Sequence, residues 1–342
     1  IEKICPEARK IIIIPENHTR NQHYLENLFH LHNILERSGL NVCFGSINPA
    51  IERPLDFIIG ENKKIQIHPI MKEDHFLKIK LNDGSIFRPC AILLNNDLSG
   101  GVPEILKDIE QTIIPSISAG WNVRRKSSHF KFYNAVAEEF AEFVNCDPWL
   151  INPYFTSQRN INFHTRVGED ELANNVANLL DKIKSKYNQY NIKHEPYVVI
   201  KADAGTYGMG IMIAKHAEDV KNLNRKKRNK MSVIKDGNEV SEVIIQEGIH
   251  SEETINGAVT EPVVYTIDQF VIGGFYRVHT SKEKDENLNS PGMHFIPQPF
   301  ETSCLMPDQG RPCDDEANRF YAYGVIARLA LLAASREMKE QA

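Results

Sequence analysis

Apolar positions along the chain change their period several times, and each change marks an element. Lys10-Ile11-Ile12-Ile13-Ile14 is an unbroken run, followed by the polar stretch Pro15-Glu16-Asn17-His18-Thr19-Arg20. Tyr24, Leu25, Leu28, Leu31, Ile34 and Leu35 then recur at helical spacing, so the segment predicts strand, loop, helix. Ser38-Gly39 ends that helix, Asn41 to Gly45 predicts a second strand, and Ala91-Ile92-Leu93-Leu94 a third that runs into Asn95-Asn96-Asp97 and Gly100-Gly101. Strands apolar at every position belong to a parallel sheet covered on both faces, whose ligand loops lie at the carboxyl edge. Residues 55 to 90 predict short antiparallel strands around Asn82-Asp83-Gly84 instead.

Further along, a helix is predicted from Phe130 to Val144, closed by Asn145-Cys146-Asp147-Pro148, and another from about Glu169 to Tyr187. Strands follow at Tyr197 to Lys201 and at Val243 to Gln246, then at Val263 to Asp268 and Val271 to Val278, joined through Gln269-Phe270. An Ala/Leu-rich helix from Asn318 to Lys339 ends the pattern. At 342 residues the chain has room for two or three domains.

Composition narrows the function classes. The 40 Lys and Arg against 45 Asp and Glu leave a net charge of -5, which calls for no nucleic-acid partner. The basic run Arg225 to Lys230 has no interleaved aromatics and is expected to be a solvated loop. No apolar run approaches the roughly 20 residues of a membrane span. The six cysteines show no C-x-x-C pair, and no secretory leader opens the chain, which fits reduced thiols and a cytoplasmic location. Because the sequence opens on Ile1 rather than Met, further residues are expected upstream.

The segment richest in chemistry is Val198-Val199-Ile200-Lys201-Ala202-Asp203-Ala204-Gly205-Thr206-Tyr207-Gly208-Met209-Gly210. A strand delivers a lysine, and a glycine-rich turn follows whose backbone N–H groups can approach phosphate oxygens with no Cβ in the way. In a Walker loop the lysine would follow the glycines, and in a Rossmann fingerprint Ile213 would be a glycine. A plain glycine-rich hairpin is the equal alternative. Val243 to Gln246 then leads into Glu247-Gly248-Ile249, suited to an adenine edge through backbone groups and to a ribose through a carboxylate. Gly273-Gly274-Phe275-Tyr276-Arg277 places an arginine in a strand, where a solvated face is the blander reading. Ten positions on, Asp285-Glu286-Asn287-Leu288-Asn289 clusters hard oxygen ligands suited to Mg²⁺.

Taken in order, Lys201, Gly205, Gly208, Gly210, Gln246, Glu247, Arg277, Asn287 and Gly292 resemble the ATP-grasp superfamily, most closely its bacterial glutathione synthetases. Lys131, with Lys126 as the alternative, fits the upstream lysine that grips ATP in those enzymes. The strings Ile14 to Asn21, Leu93 to Gly101 and Lys201 to Met212 are similar to the proteobacterial, ATP-grasp-like glutamate-cysteine ligases, a likeness that covers the whole chain.

This resemblance implies an α/β (α+β) architecture: a parallel α/β substrate domain over residues 1–118, then an ATP-grasp fold divided into 119–248 and 249–342. It implies ATP-dependent ligation of glutamate to cysteine through a γ-glutamyl phosphate, the first step of glutathione biosynthesis. ATP would be held by Lys131, Lys201, Gly205, Tyr207, Gly208, Gly210, Gln246, Glu247, Gly248 and Ile249. Arg277, Asn287 and Asn289 would act in catalysis, and Asp268, Asp285, Glu286 and Asn287 would hold Mg²⁺ or Mn²⁺. Glu16, Asn17, Arg20, Asn95, Asn96 and Asp97 lie where the amino-acid substrates are expected, although such residues equally fill turns and caps. The Glu-x-Asn metal pair of the superfamily is expected after the last helix, where the chain has no room for it. Two other readings are a different ATP-grasp ligase, such as a glutathione synthetase, and a nucleotide-binding regulator without catalysis.

Overall fold

The computed structural model describes the chain except residues 2–4, 7–8, 17–20, 61–62, 99, 121–123, 205–209, 233–238, 299–318 and 342. It divides into two compact units, Ile1–Val123 and Arg124–Ala342.

The first unit alternates β1 (Lys10–Pro15), α1 (Gln22–Arg37) and β2 (Asn41–Ser46), then β3 (Leu55–Ile59), β4 (Lys63–Glu73), β5 (Phe76–Lys80), β6 (Ile86–Phe87), β7 (Ala91–Asn95) and β8 (Thr112–Ile114). They form one eight-stranded sheet in the order β6-β5-β4-β2-β1-β7-β8, with β3 on β4. Pairing is parallel among β4, β2, β1, β7 and β8 and antiparallel for β3, β5 and β6. Ile11 to Ile14 are buried because β1 sits inside the sheet: Ile12 and Ile14 enter one core, while Ile13 faces Leu25 and Leu28 of α1.

The second unit runs α2 (Lys126–Val144), β9 (Phe155–Gln158), α3 (Glu169–Gln189), β10 (Val198–Ala202), β11 (Ile211–Ala214), α4 (Glu218–Lys221), α5 (Arg225–Ser232) and β12 (Val243–Glu247). After these come β13 (Thr254–Ile255), β14 (Ala258–Ile267), β15 (Phe270–His279), β16 (His294–Pro297) and α6 (Arg319–Gln341). Two four-stranded antiparallel sheets result, β11-β10-β12-β9 and β13-β14-β15-β16. Val198, Ile200, Val243 and Ile245 pack against Leu172, Val176, Leu179 and Ile183 of α3. Helix α6 lies on α2 through Leu329 and Ala333 against Tyr133, Val136 and Ala137. The buried Glu337 carboxylate accepts from Arg124 at 2.6 and 3.1 Å.

Several boundaries depart from the sequence pattern for local reasons. Helix α2 starts at Lys126, because Asp203, remote in sequence, accepts from the Ser127 N–H at 2.7 Å and its hydroxyl at 2.6 Å. Arg225 to Lys230 is a helix rather than a loop, started by the Asn224 side chain, which accepts from the Lys227 N–H at 2.9 Å. The turn between β14 and β15 is Asp268-Gln269, one residue earlier than expected, with Asp268 at φ 54°. Among the described residues no helix is long and apolar enough to cross a membrane.

Candidate active site

The two sides of the β11-β10-β12-β9 sheet carry different chemistry. Residues directly opposite in an antiparallel pair share a face, and the register sets Val199 against Gln246 and Val198 against Glu247. Lys201 and Gln246 therefore share one face, where Lys201 Nζ donates to Gln246 Oε1 at 3.1 Å. Glu247 points to the other face, beside Val198 and α3.

Around Lys201 the charges converge. Burial lowers its pKa, and Glu261 of β14 opposes that shift. Glu261 sits opposite Arg277 of β15 and accepts from its Nη1 at 3.0 Å. The Arg277 Nε is buried with no hydrogen-bond partner among the described residues. At the start of α2, Lys126 donates to the carbonyls of Ala202 at 2.9 Å and Asp203 at 3.3 Å, beyond the end of β10. Its pKa is lowered to about 8 by burial, with the neighbouring Lys201 adding repulsion. Lys131, in contrast, is exposed on α2. The helix start that the sequence motif calls for is occupied by Lys126, because capping by Asp203 draws the helix back to that residue.

The turn after β10 returns at Gly210, which has φ 63° and whose carbonyl accepts from the Ala202 N–H at 3.2 Å. Gly205, Tyr207 and Gly208 lie outside the described residues. After β12 the backbone is pinned to Tyr197: the Gly248 N–H donates to its carbonyl at 2.8 Å, and its hydroxyl donates to the Ile249 carbonyl at 2.7 Å. A Cβ on Gly248 would come within 2.0 Å of the Tyr197 ring, so only glycine fits. The Glu247 carboxylate accepts from Trp149 Nε1 at 3.0 and 3.2 Å and from the Tyr154 N–H at 3.0 Å. Burial raises its pKa. It is committed to the α3 side, not to the face of Lys201.

The loop after β15 is held by the buried His279, whose Nε2 lies 3.1 Å from the Pro291 carbonyl. Gly292, at φ 100°, passes so close that a Cβ would meet the imidazole at 3.2 Å. Leu288 is fully buried, and the Asn287 side chain accepts from the Asn289 N–H at 3.0 Å. Asp285 pairs with Lys215 at 2.5 Å and Glu286 with Lys282 at 2.7 Å. Asp268 lies at the far end of β15, a ten-residue strand about 30 Å long at roughly 3.3 Å per residue. The metal set expected from sequence is thus divided, and its two acidic members near Asn287 are neutralised by lysines. Among the described residues no three His, Cys, Asp or Glu side chains are arranged to hold a metal ion. A Glu-x-Asn string does occur, at Glu316-Ala317-Asn318 immediately before α6 rather than after it, outside the described residues.

In the first unit, parallel pairing of β1 with β7 brings Glu16, Asn95, Asn96 and Asp97 to one carboxyl edge. Glu16 Oε1 accepts from the Asp97 N–H at 2.7 Å, and Asn95 Oδ1 from the Tyr24 hydroxyl at 2.8 Å. Asn96 donates to the Pro15 carbonyl at 3.0 Å and accepts from the Leu98 N–H at 2.9 Å. Asn17 and Arg20 lie outside the described residues. Glu261, Asp203, Tyr197 and Trp149 escaped sequence reasoning. Glu261 meets Arg277 because the hairpin turns one residue early and its register shifts between Tyr265 and Thr266, while the other three act through contacts remote in sequence.

A strand lysine beside a glycine turn, a second lysine at a helix start and a strand arginine, on an α/β frame, are the equipment of a carboxylate-amine ligase. The chain belongs to the glutamate-cysteine ligase family, whose family model matches residues 1–338. A crystal structure from Methylobacillus flagellatus KT, provisionally assigned as a gamma-glutamylcysteine synthetase, is 55% identical, with a TM-score of 0.89 over 100% of this chain and 79% of that one. The VanG D-Ala:D-Ser ligase of Enterococcus faecalis is 13% identical, with a TM-score of 0.48 over 96% of this chain and 83% of that one. No curated protein matches the sequence.

Proposed function

We propose that the protein is an ATP-dependent glutamate-cysteine ligase of the ATP-grasp type, with ATP, glutamate and cysteine as its substrates. The observation that supports this reading is that Lys201 and Lys126 lie close enough for their charges to interact, with Glu261, the partner of Arg277, also acting on Lys201, in a chain of this family. Both lysines are held where burial penalises their charge, and a bound polyphosphate would relieve that penalty.

In the proposed reaction a γ-carboxylate oxygen of glutamate attacks the γ-phosphorus of ATP. The new P–O bond forms as the bond to the β,γ-bridging oxygen breaks and ADP leaves. The amine of cysteine then attacks the acyl carbon, loses a proton, and expels phosphate to leave the amide. Lys201 and Arg277 offset charge on the transferring phosphoryl group, and Lys126 takes the position first given to Lys131. Gln246 orients Lys201 through its side chain. Glu247 holds the hinge peptide, with its carboxylate turned away from the nucleotide. Glu16, Asn95 and Asn96 shape the carboxyl edge of the first sheet for an amino-acid substrate.

The test is phosphate release by the full chain with ATP and single amino acids or pairs. Release that requires both glutamate and cysteine supports the proposal. Release with γ-glutamylcysteine plus glycine would make the protein a glutathione synthetase, and ATP binding with no release under any pair would make it a regulator.

A further inference from the structure

Behind the hinge, on the side of the sheet that Glu247 faces, the second unit contains a cavity of about 520 Å³. Trp149, Tyr187, Ile192 and Ile249 line its walls, and Lys193, His194 and His250 add polar groups. The volume falls within the 300–1,000 Å³ typical of small-molecule sites. Its floor is fixed: the Trp149 indole N–H spans both oxygens of Glu247, and the ring stacks on Tyr190 with centroids 5.2 Å apart. Its upper wall is ordered too, with His194 stacked on His250 at 4.5 Å and Tyr197 edge-on to His250 at 5.1 Å.

We propose that this cavity is a second small-molecule site, for a planar aromatic ring carrying a carboxylate. Indole, phenol and aliphatic walls offer stacking to a ring. The carboxylates of Glu247 and Glu252 also line the cavity but are already engaged, Glu252 by His194 at 3.2 Å and by Lys284, and Glu247 by Trp149 and Tyr154. Lys193 is exposed beside the imidazoles and forms no ion pair among the described residues, so it is the charge a carboxylate would meet. The placement of this site opposite the nucleotide rests on the proposed function, in which ATP occupies the face of Lys201 and Gln246. An occupant would brace Glu247 to His250, the peptide that leads from one sheet of the unit to the other.

Saturation-transfer NMR of indole-3-acetate with the full chain tests it. The probe is expected to bind, to be weakened about tenfold or more by Lys193→Glu through reversal of the charge at the rim, and to be undisturbed by ATP. The variant should keep the phosphate release of the parent protein. No transfer up to the solubility of the probe, an unchanged affinity in Lys193→Glu, or displacement by ATP would each overturn the proposal, the last by placing adenine in this cavity. Probe binding and phosphate release are read separately, so loss of the catalytic reading leaves the binding result interpretable.

Discussion

Two polar clusters at strand ends look alike in sequence and differ in kind. At the carboxyl edge of β1 and β7, the Glu16 carboxylate and the Asn95 and Asn96 amides each meet a neighbouring donor or acceptor. At the end of β10, Lys201 has a neutral amide for its near partner, and the pKa values of Lys201 and Lys126 are both lowered by burial. A closed network stabilises the fold; charge held against its own solvation is a destabilising arrangement that a ligand can justify.

The Arg124–Glu337 pair is the extreme of the closed kind. Glu337→Ala would leave the Arg124 guanidinium buried without its carboxylate and lower stability by about 3–5 kcal/mol. Denaturant unfolding checks this, and a loss below about 1 kcal/mol would show the pair to be solvated. The open cluster should respond the other way. Lys201→Ala is expected to cut phosphate release by about 10²–10³-fold, with no loss of thermal stability, because a penalised charge has been removed. A lowered melting temperature with activity intact would reverse the comparison. Between these lies Gly248→Ala, where the new methyl meets the Tyr197 ring within 2.4 Å at three atoms. Such overpacking costs about 1–3 kcal/mol, and an unchanged unfolding midpoint would mean that the hinge moves away from Tyr197 freely.

The pH dependence separates nucleotide binding from folding at the same residue. Lys126 loses its proton around pH 8, so its contribution to ATP affinity is nearly full about a unit below that and is lost as pH rises through it. The dissociation constant should rise about fivefold from pH 8 to pH 9, as calorimetric titration would show, and Lys126→Met should flatten that rise. Stability without ligand has the opposite sign. The folded-state value lies below the ordinary 10.5, so the unfolded chain binds more protons between the two values and stability rises with pH over that window.

Much of the frame was legible in the sequence because periodicity reports burial. Ile11 to Ile14 read as an interior parallel strand and are one, and Lys201 lies in a strand, as its apolar neighbours imply. Contacts that join remote segments were not legible. Capping of α2 by Asp203 moved the helix start to Lys126, and the register of β12 turned Glu247 away from Lys201. Alternation along a strand settles which face a residue takes only when its neighbours are known, and β12 is buried on both faces. The ion pair of Asp285 with Lys215 was likewise not legible, because the two residues lie 70 positions apart.

The smallest predicted effect bears most directly on the comparison. Asn95→Ala removes the acceptor that the Tyr24 hydroxyl meets at 2.8 Å and leaves that hydroxyl a carbonyl contact at 3.4 Å. A net hydrogen bond of this kind is worth about 1 kcal/mol, so a small drop in unfolding midpoint is expected. If the edge network is closed on itself, phosphate release at saturating substrates should stay within a few-fold of the parent, because the lost bond lies within the fold. An unchanged midpoint with activity reduced more than tenfold would instead mean that the Asn95 amide binds substrate. The carboxyl edge would then belong with Lys201, among groups held ready for a ligand.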